Sequence, residues 1–90
     1  MRESTIEKAV VDYAKANGCL TIKNATPGHR GVPDRMFIRS GKVLFVEFKA
    51  LGKLPTKIQY KWLSDLWAHG VPAVSVSSIA EGKEAIFAML

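Results

Sequence analysis

Two acidic residues and a lysine stand at the ends of a strand–turn–strand pattern. Asp34 follows Pro33, Glu47 lies thirteen positions later, and Lys49 comes two positions after Glu47. An antiparallel hairpin between them would fold one carboxylate back toward the other. The two-residue period of a strand then places Glu47 and Lys49 on one face, where a purely structural strand rarely carries two charges. The spacing therefore predicts a metal site with a lysine beside it.

Converging carboxylate oxygens favour a hard divalent cation, Mg²⁺ or Mn²⁺, which keeps several of its waters. Asp34 and Glu47 are the predicted ligands, and the main-chain carbonyl of Phe48 is a further one. Lys49 can stabilise charge on a transferring phosphate or help to orient and deprotonate the attacking water. The metal would polarise a phosphodiester and lower the pKa of its bound water. The predicted chemistry is phosphodiester hydrolysis.

Each of these residues also has an ordinary structural interpretation. Asp34 can be a turn residue after Pro33, which is a common use of aspartate. Glu47 and Lys49 can form a surface pair on an exposed sheet face. The three residues together favour the metal site, because the aspartate opens the strand that leads to the glutamate.

The order of these residues resembles the Pro-Asp…(Asp/Glu)-X-Lys nuclease superfamily, with Pro33-Asp34 and Glu47-Phe48-Lys49 at the motif positions. More narrowly, the chain resembles a virus-type replication-repair nuclease (VRR-NUC) domain over nearly its whole length. The matching segments are Ile6-Glu7, residues 27–35, residues 46–49 and Gln59. The resemblance implies a restriction-endonuclease-like fold with an αβββαβ core, in a stand-alone member of the kind that phages carry.

The same resemblance implies a metal-dependent, structure-selective DNA endonuclease that acts on branched DNA such as Holliday junctions. Such a protein would work as a homodimer and would recognise DNA by shape and backbone charge. A non-catalytic nucleic-acid-binding module of the same fold is the rival from another class, and a flap- or end-directed nuclease is the rival within the enzyme class. Product ends and strand polarity would separate the two enzymes.

Two further residues take their catalytic roles from the resemblance. Glu7 is implied on the metal side, through a bridging water or as a ligand of a second ion, with Glu3 as a weaker substitute. Gln59 is implied to hydrogen-bond Lys49 or a substrate phosphate. From the local pattern alone, Glu7 completes a capping box with Ser4, and Gln59 is a polar residue in a first helical turn. Both interpretations remain open.

Thirteen Lys and Arg residues against eight Asp and Glu give a formal net charge of +5, which favours a polyanionic partner, above all nucleic acid. Charge for solubility alone is the alternative. Arg35 can reach a phosphate or pair with an acidic neighbour, and His29 lacks the second spaced histidine of a metal site. The candidate DNA-backbone contacts are His29, Arg30, Arg35, Lys53 and Lys57.

Periodicity and turn signals predict the order αβββαβα for the elements that position these residues. The predicted helices cover residues 5–17, 58–69 and 79–90, and the predicted strands cover residues 19–23, 35–39, 42–49 and 71–76. Ser40-Gly41 is the predicted tight turn, Thr56 the cap of the second helix, and Ser78 with Glu81 a capping box for the third. Trp62 and Trp67 are five positions apart, so we expect one in the core and the other in a dimer contact.

Ninety residues, 48% of them hydrophobic, suffice for one α/β domain over residues 1–90, with a small mixed sheet flanked by helices. No apolar run approaches the roughly 20 residues that span a bilayer, and the N-terminus lacks the apolar region of a signal peptide. We therefore expect a cytoplasmic protein without a membrane partner, and the resemblance implies that its cell is a phage or bacterial host cell. Cys19, the one cysteine, is expected to be a core thiol.

Overall fold

A computed structural model of the chain describes residues 1–25 and 28–90. Pro27, which belongs to the motif segment at residues 27–35, lies outside this description. The elements are α1 (Glu3–Ala16), β1 (Leu20–Lys23), β2 (Arg35–Arg39), β3 (Lys42–Phe48), α2 (Lys57–Ala68), β4 (Ala73–Val76) and α3 (Ile79–Met89). The order αβββαβα is the predicted one, and no element end differs from its predicted position by more than two residues.

The four strands form one mixed sheet in the order β1-β2-β3-β4. The first three strands pair antiparallel, and β3 pairs with β4 in parallel after the crossover through α2. A parallel pair needs such a long connection, whereas antiparallel strands can be joined by a short turn. The predicted α/β class, with a mixed sheet flanked by helices, is confirmed.

The β2–β3 hairpin brings the two predicted metal ligands to the same end of the sheet. Arg39 pairs with Lys42 around the Ser40-Gly41 turn, in which both residues have positive φ values of 53° and 80°. Positive φ at both positions is typical of a type I′ turn, whose twist matches that of the strands. The register pairs Arg35 with Val46, so one further step places Asp34 opposite Glu47.

The hydrophobic core lies between one face of the sheet and the helices α1 and α3. Because successive strand residues alternate between faces, β3 sends its apolar side chains at positions 44, 46 and 48 into this core. Gly82 of α3 lies so close to α1 that a Cβ atom there would overlap the Val10 side chain. The fully buried core side chains include Ile6, Val10, Phe37, Val46, Phe48 and Ile86.

The other face of the sheet is only partly covered. Helix α2 lies on this face beside β3 and β4, where Leu63 and Ala73 are both buried. On strands β1 and β2, four apolar residues point to this same face, as the pairing of the two strands shows. They are Leu20, Ile22, Met36 and Ile38, and we call this set the open sheet face. Leu20 is 59% exposed and Ile22 is 37% exposed, so this surface is accessible to a partner.

The helix ends agree with two of the three capping predictions. Thr56 caps α2 in a complete capping box. Ser78 caps α3 by accepting from the Glu81 N–H, although the Glu81 carboxylate accepts from Ser77 rather than from Ser78. The capping box predicted at Ser4 is wrong, because α1 begins at Glu3 and its cap residue makes no side-chain hydrogen bond. Ser4 therefore lies inside the first turn.

The two tryptophans differ from the prediction, and Cys19 agrees with it. Trp67 is 56% exposed and Trp62 is half-buried, so neither tryptophan belongs to the buried core. The indole N–H of Trp67 instead donates to the main-chain oxygen of Ala73, which joins this ring to the start of β4. Cys19 is buried, as expected of a core thiol. Within residues 1–25 and 28–90, no helix has the length and apolar character needed to cross a membrane.

Candidate active site

Asp34 lies immediately before β2, and hydrogen bonds hold both its side chain and its main chain. Its Oδ2 accepts a hydrogen bond of 2.8 Å from the Phe48 N–H, and its main-chain oxygen accepts one of 2.9 Å from the Asn24 N–H. The Asn24 side-chain amide also donates to the main-chain oxygen of Pro33 at 2.9 Å. Pro33 is itself fully buried. The aspartate is thus fixed by β3 on one side and by the end of β1 on the other.

Glu47 is the only buried charged residue of the part of the chain that the structure describes, with 3% of its surface exposed. Its Oε2 accepts a hydrogen bond of 3.2 Å from Gln59 Nε2 and lies 3.5 Å from Lys49 Nζ. The Lys49 side chain is itself 15% exposed. A buried carboxylate needs such partners, because desolvation of a charge is costly.

Burial raises the pKa of both carboxyl groups of the site. Burial raises the pKa of Glu47 to about 7; the Asp34 carboxylate raises it as well, and Lys49 opposes the shift. Burial also raises the pKa of Asp34, against the hydrogen bond from Phe48, and the charge of Glu7 adds to the increase. Burial and the nearby Asp34 carboxylate thus disfavour the charged form of Glu47, and a bound cation would stabilise that form.

The donor set fits a hard divalent cation. Mg²⁺ is commonly held by one or two carboxylates and completes its shell with waters, and Mn²⁺ accepts the same oxygen ligands. Asp34 and Glu47 supply two carboxylates of this kind, next to the main chain of Phe48. Among the residues that the structure describes, no group of three His, Cys, Asp or Glu side chains is placed to hold a metal ion together.

Glu7 lies on the Asp34 side of the site and is bound by basic residues. Its Oε2 is 2.7 Å from Arg35 Nε and 4.0 Å from Lys23 Nζ. Of the two alternatives for Arg35, the structure therefore shows the pair with an acidic neighbour. The charge of Glu7 raises the pKa of Asp34, which places the two carboxylates within electrostatic reach of each other. Its role on the metal side stays a prediction.

Gln59 bridges the start of α2 and the buried glutamate. Its Oε1 accepts a hydrogen bond of 2.9 Å from the Thr56 N–H, and its Nε2 donates to Glu47. The Gln59 side chain thus completes the capping box of α2 and also contacts a predicted metal ligand. Within the protein, the Gln59 amide was expected to bond to Lys49, but it bonds to Glu47 instead.

The loop before Asp34 is docked on α2 through a residue that sequence reasoning did not assign to the site. The indole N–H of Trp62 donates to the main-chain oxygen of Arg30 at 2.9 Å, and its ring lies edge-on to His29 at 6.0 Å between centroids. Gly31, with φ of 84°, packs so closely that a Cβ would lie 2.9 Å from Ile58. These partners are far apart in sequence, so no local signal could have revealed them.

Four of the five predicted DNA-contacting residues are exposed. His29 and Arg30 are exposed in the docked loop, and Lys53 and Lys57 are exposed before and at the start of α2. Arg35 is half-buried beside Glu7. The loop touches α2 through Trp62, and α2 touches Glu47 through Gln59. These contacts join the loop that carries His29 and Arg30 to the helix that reaches Glu47, and the contacts of the basic residues with DNA remain a prediction.

Comparisons with known proteins bear on the family and the fold of the chain. No family model matches the sequence. The chain is 39% identical over 79 residues to "Putative nuclease p44" of Acyrthosiphon pisum secondary endosymbiont phage 1, which covers 87% of this chain and 85% of that protein. A solved structure described as "VRR_NUC domain" superposes with a TM-score of 0.86 over 94% of both chains at 24% identity, which establishes the fold. The chain therefore belongs to the family of the phage p44 protein and has the VRR-NUC fold that its motifs predict.

Proposed function

We propose that the protein is a metal-dependent nuclease that hydrolyses phosphodiester bonds in DNA. The observation that supports this function best is the carboxylate pair of Glu47, which is buried, and Asp34, which is half-buried, with Lys49 beside it. Membership of the same family as a phage protein named as a nuclease supports it independently. Mg²⁺ or Mn²⁺, when bound, would polarise the scissile phosphate and lower the pKa of a bound water.

Each residue of the site has a separate task in this proposal. Asp34 and Glu47 hold the cation together with the main-chain carbonyl of Phe48, and the Phe48 N–H keeps the Asp34 carboxylate in place. Lys49 stabilises the negative charge that develops on the phosphate. Gln59 orients Glu47 by its amide hydrogen bond. Glu7 would act from the Asp34 side through a bridging water.

The DNA backbone would run along the basic border of the carboxylate pair. His29 and Arg30 lie on one side, in the loop docked on α2, and Lys53 and Lys57 lie at the start of that helix. Arg35 can contribute once a phosphate competes with Glu7 for its guanidinium. Contacts of this kind bind phosphates without reading bases, so we infer recognition by DNA shape and charge.

We further propose that the protein acts on branched DNA as a homodimer formed through the open sheet face. The pleat places Met36 on the same side as Asp34 and Phe45 on the same side as Glu47, so this face leads to the carboxylate pair. A twofold axis through the face would set two active sites on related surfaces of one particle. Two such sites would cut two strands symmetrically, as resolution of a four-way junction requires.

A cleavage assay with a charge-neutral variant tests the proposed function. Asp34→Asn keeps an oxygen acceptor for the Phe48 N–H but removes the charge, so the hairpin should fold normally. Asp12→Asn is the matched control, because Asp12 is exposed and only pairs with Lys8 at 2.9 Å. Wild type and both variants are incubated with labelled four-way junction, flap and linear duplex DNA in Mg²⁺, Mn²⁺ or EDTA.

We expect wild type and Asp12→Asn to cut in the presence of metal, and Asp34→Asn and the EDTA samples not to cut. Paired symmetric cuts on the junction would support the dimeric enzyme. Single cuts near a flap or an end would favour the flap- or end-directed nuclease instead. Binding without cutting in every metal condition would overturn the enzyme and favour the non-catalytic nucleic-acid-binding module.

A further inference from the structure

The cap of α2 is joined to the proposed metal site by a chain of hydrogen bonds. The Thr56 N–H donates to Gln59 Oε1 at 2.9 Å, and Gln59 Nε2 donates to Glu47 Oε2 at 3.2 Å. The Thr56 hydroxyl accepts from the Gln59 main-chain N–H at 3.4 Å and holds the first turn in register. We propose that Thr56 is a positioning residue, which orients the Gln59 amide and thereby fixes the Glu47 carboxylate for metal binding.

The orientation of an amide decides whether it attracts or repels a carboxylate. One end of the Gln59 side chain is a donor and the other is an acceptor. The Thr56 N–H takes the acceptor end, so the donor end is the one that faces Glu47. Without the cap, the amide can turn and present its oxygen to the carboxylate, which would be repulsive. The cap therefore determines the sign of the Gln59–Glu47 interaction.

Fixing one oxygen of Glu47 leaves the other available to a cation. Both the Gln59 contact and the Lys49 contact are made to Oε2, so the cation would bind through Oε1. Residues that orient a metal ligand typically contribute about 10- to 100-fold to metal affinity. This inference rests on the proposed metal site, and its readout must therefore be metal binding itself, measured without DNA.

The chain contains a matched control for the loss of a helix cap. Ser78 caps α3 as Thr56 caps α2, by accepting from a main-chain N–H, in this case that of Glu81 at 3.1 Å. The Glu81 side chain, however, bonds to Ser77 and has no contact with Glu47. Ser78→Ala thus removes a cap of the same kind without touching the chain of hydrogen bonds that leads to the site.

The test is the affinity of the protein for Mn²⁺, measured by electron paramagnetic resonance and isothermal titration calorimetry. Thr56→Val removes the hydroxyl, and Thr56→Pro removes the N–H at a φ of −72°, which proline adopts readily. Relative to wild type, we expect the Mn²⁺ Kd to rise about threefold in Thr56→Val and about tenfold in Thr56→Pro. Thr56→Ser and Ser78→Ala should stay within about twofold, although Ser78→Ala should lower the melting temperature as Thr56→Val does.

A double-mutant cycle shows whether Thr56 acts through Gln59. Gln59→Met keeps the length of the side chain but cannot hydrogen-bond, and we expect it to raise the Mn²⁺ Kd about tenfold. If Thr56 acts only through this amide, Thr56→Val in the Gln59→Met background should weaken binding no further. Additive losses would overturn the inference, because they would mean that the two residues act independently.

The remaining outcomes separate this inference from the proposed function. Wild-type protein that binds no Mn²⁺ would overturn both. Wild-type affinity in Thr56→Val and Thr56→Pro, with binding intact in wild type, would overturn the role of Thr56 and leave the metal site standing. An equal loss of affinity in Ser78→Ala would also overturn it, since the effect would then follow from lower stability alone.

Discussion

At the scale of single residues, the buried carboxylate of Glu47 opposes the stability of the metal-free protein. Its pKa is about 7 in the folded chain, against an ordinary value of 4.5, chiefly because of burial. The folded state therefore binds a proton more tightly than the unfolded chain. The proton on Glu47 therefore stabilises the folded state, and this contribution to the free energy of unfolding is complete below about pH 4.5. It is lost as the pH rises through about 7, where the folded state releases the proton. A function rather than stability explains a charged residue in this position.

We therefore predict that the chelator-treated protein loses stability between pH 5 and pH 8 relative to Glu47→Gln, by about 2 kcal/mol. The glutamine cannot ionise, so its variant lacks this part of the pH dependence. Urea unfolding at several pH values measures the difference, and Glu84→Gln, which changes an exposed acid, serves as the control. Parallel stability curves for wild type and Glu47→Gln would contradict the prediction.

Lys49 offers a way to separate catalysis from metal binding. Its ammonium group lies 3.5 Å from Glu47 and lowers the pKa of that residue. Lys49→Met removes the positive charge, which leaves the carboxylate pair more negative and a cation more strongly attracted. We predict Mn²⁺ affinity equal to or above that of wild type, together with a cleavage rate about 10²- to 10³-fold lower. Calorimetry and single-turnover cleavage measure the two effects.

A parallel loss of metal affinity and cleavage in Lys49→Met would contradict this separation and would give Lys49 a structural role. Lys61→Met is the control, because Lys61 pairs with Asp65 on the exposed side of α2. It should leave both quantities unchanged.

At the scale of elements, α2 connects two parts of the site. Its first turn holds Glu47 through Gln59 and contacts the 28–31 loop at Ile58, and its middle holds that loop through Trp62. The loop leads directly into Asp34. A shift of this helix would therefore move both carboxylates and the exposed basic residues of the loop. The crossover helix between β3 and β4 thus has a positioning role in addition to packing.

Replacement of Gly31 by alanine should disrupt this docking. Gly31 and Gly28 have nearly equal φ values of 84° and 82°, but only Gly31 would place a Cβ against α2, 2.9 Å from Ile58. Gly28→Ala is therefore a control for backbone strain alone, which costs on the order of 1 kcal/mol. We predict a loss of about 2–3 kcal/mol in Gly31→Ala.

Chemical unfolding measures the two alanine variants, and Gly31→Ala combined with Ile58→Ala tests the cause. Because Ile58→Ala removes the overlapping side chain, Gly31→Ala should lower the free energy of unfolding less in the Ile58→Ala background than in wild type. Equal losses for Gly28→Ala and Gly31→Ala would show that the close approach of loop and helix does not contribute.

At the scale of the whole molecule, the open sheet face is the surface that the proposed dimer requires. Ile22 lies within it and is 37% exposed. Ile22→Lys would place two charges near the twofold axis, so we predict a monomer in sedimentation velocity where wild type is a dimer. Leu54→Lys is the control, because Leu54 is 76% exposed outside this face.

The Ile22→Lys monomer should also lose paired cuts on the four-way junction, because each particle would then carry one active site. Ile22 pairs with Met36, two residues from Asp34, so the pattern of cuts rather than metal affinity is the readout. A wild-type monomer, or an Ile22→Lys dimer, would contradict the proposed interface.

Features that depend on residues close together along the chain could be predicted from the sequence. The Ser40-Gly41 turn and the Thr56 cap were predictable because their hydrogen bonds close within three or four residues. The meeting of Asp34 with Glu47 was predictable for the same reason, since a two-residue turn fixes the register of its hairpin. The motif residues then led from this local geometry to the family and the fold.

The partners of the site residues, in contrast, depend on the packing of distant elements. The Glu7–Arg35 pair spans 28 positions and the Trp62–Arg30 hydrogen bond spans 32. The amide of Gln59 reaches Glu47 because α2 crosses back over β3 and β4. Such contacts depend on how whole elements pack, and packing is set by the burial of apolar faces rather than by local periodicity. The same packing left β1 and β2 uncovered on one face, which no local pattern in the sequence reveals.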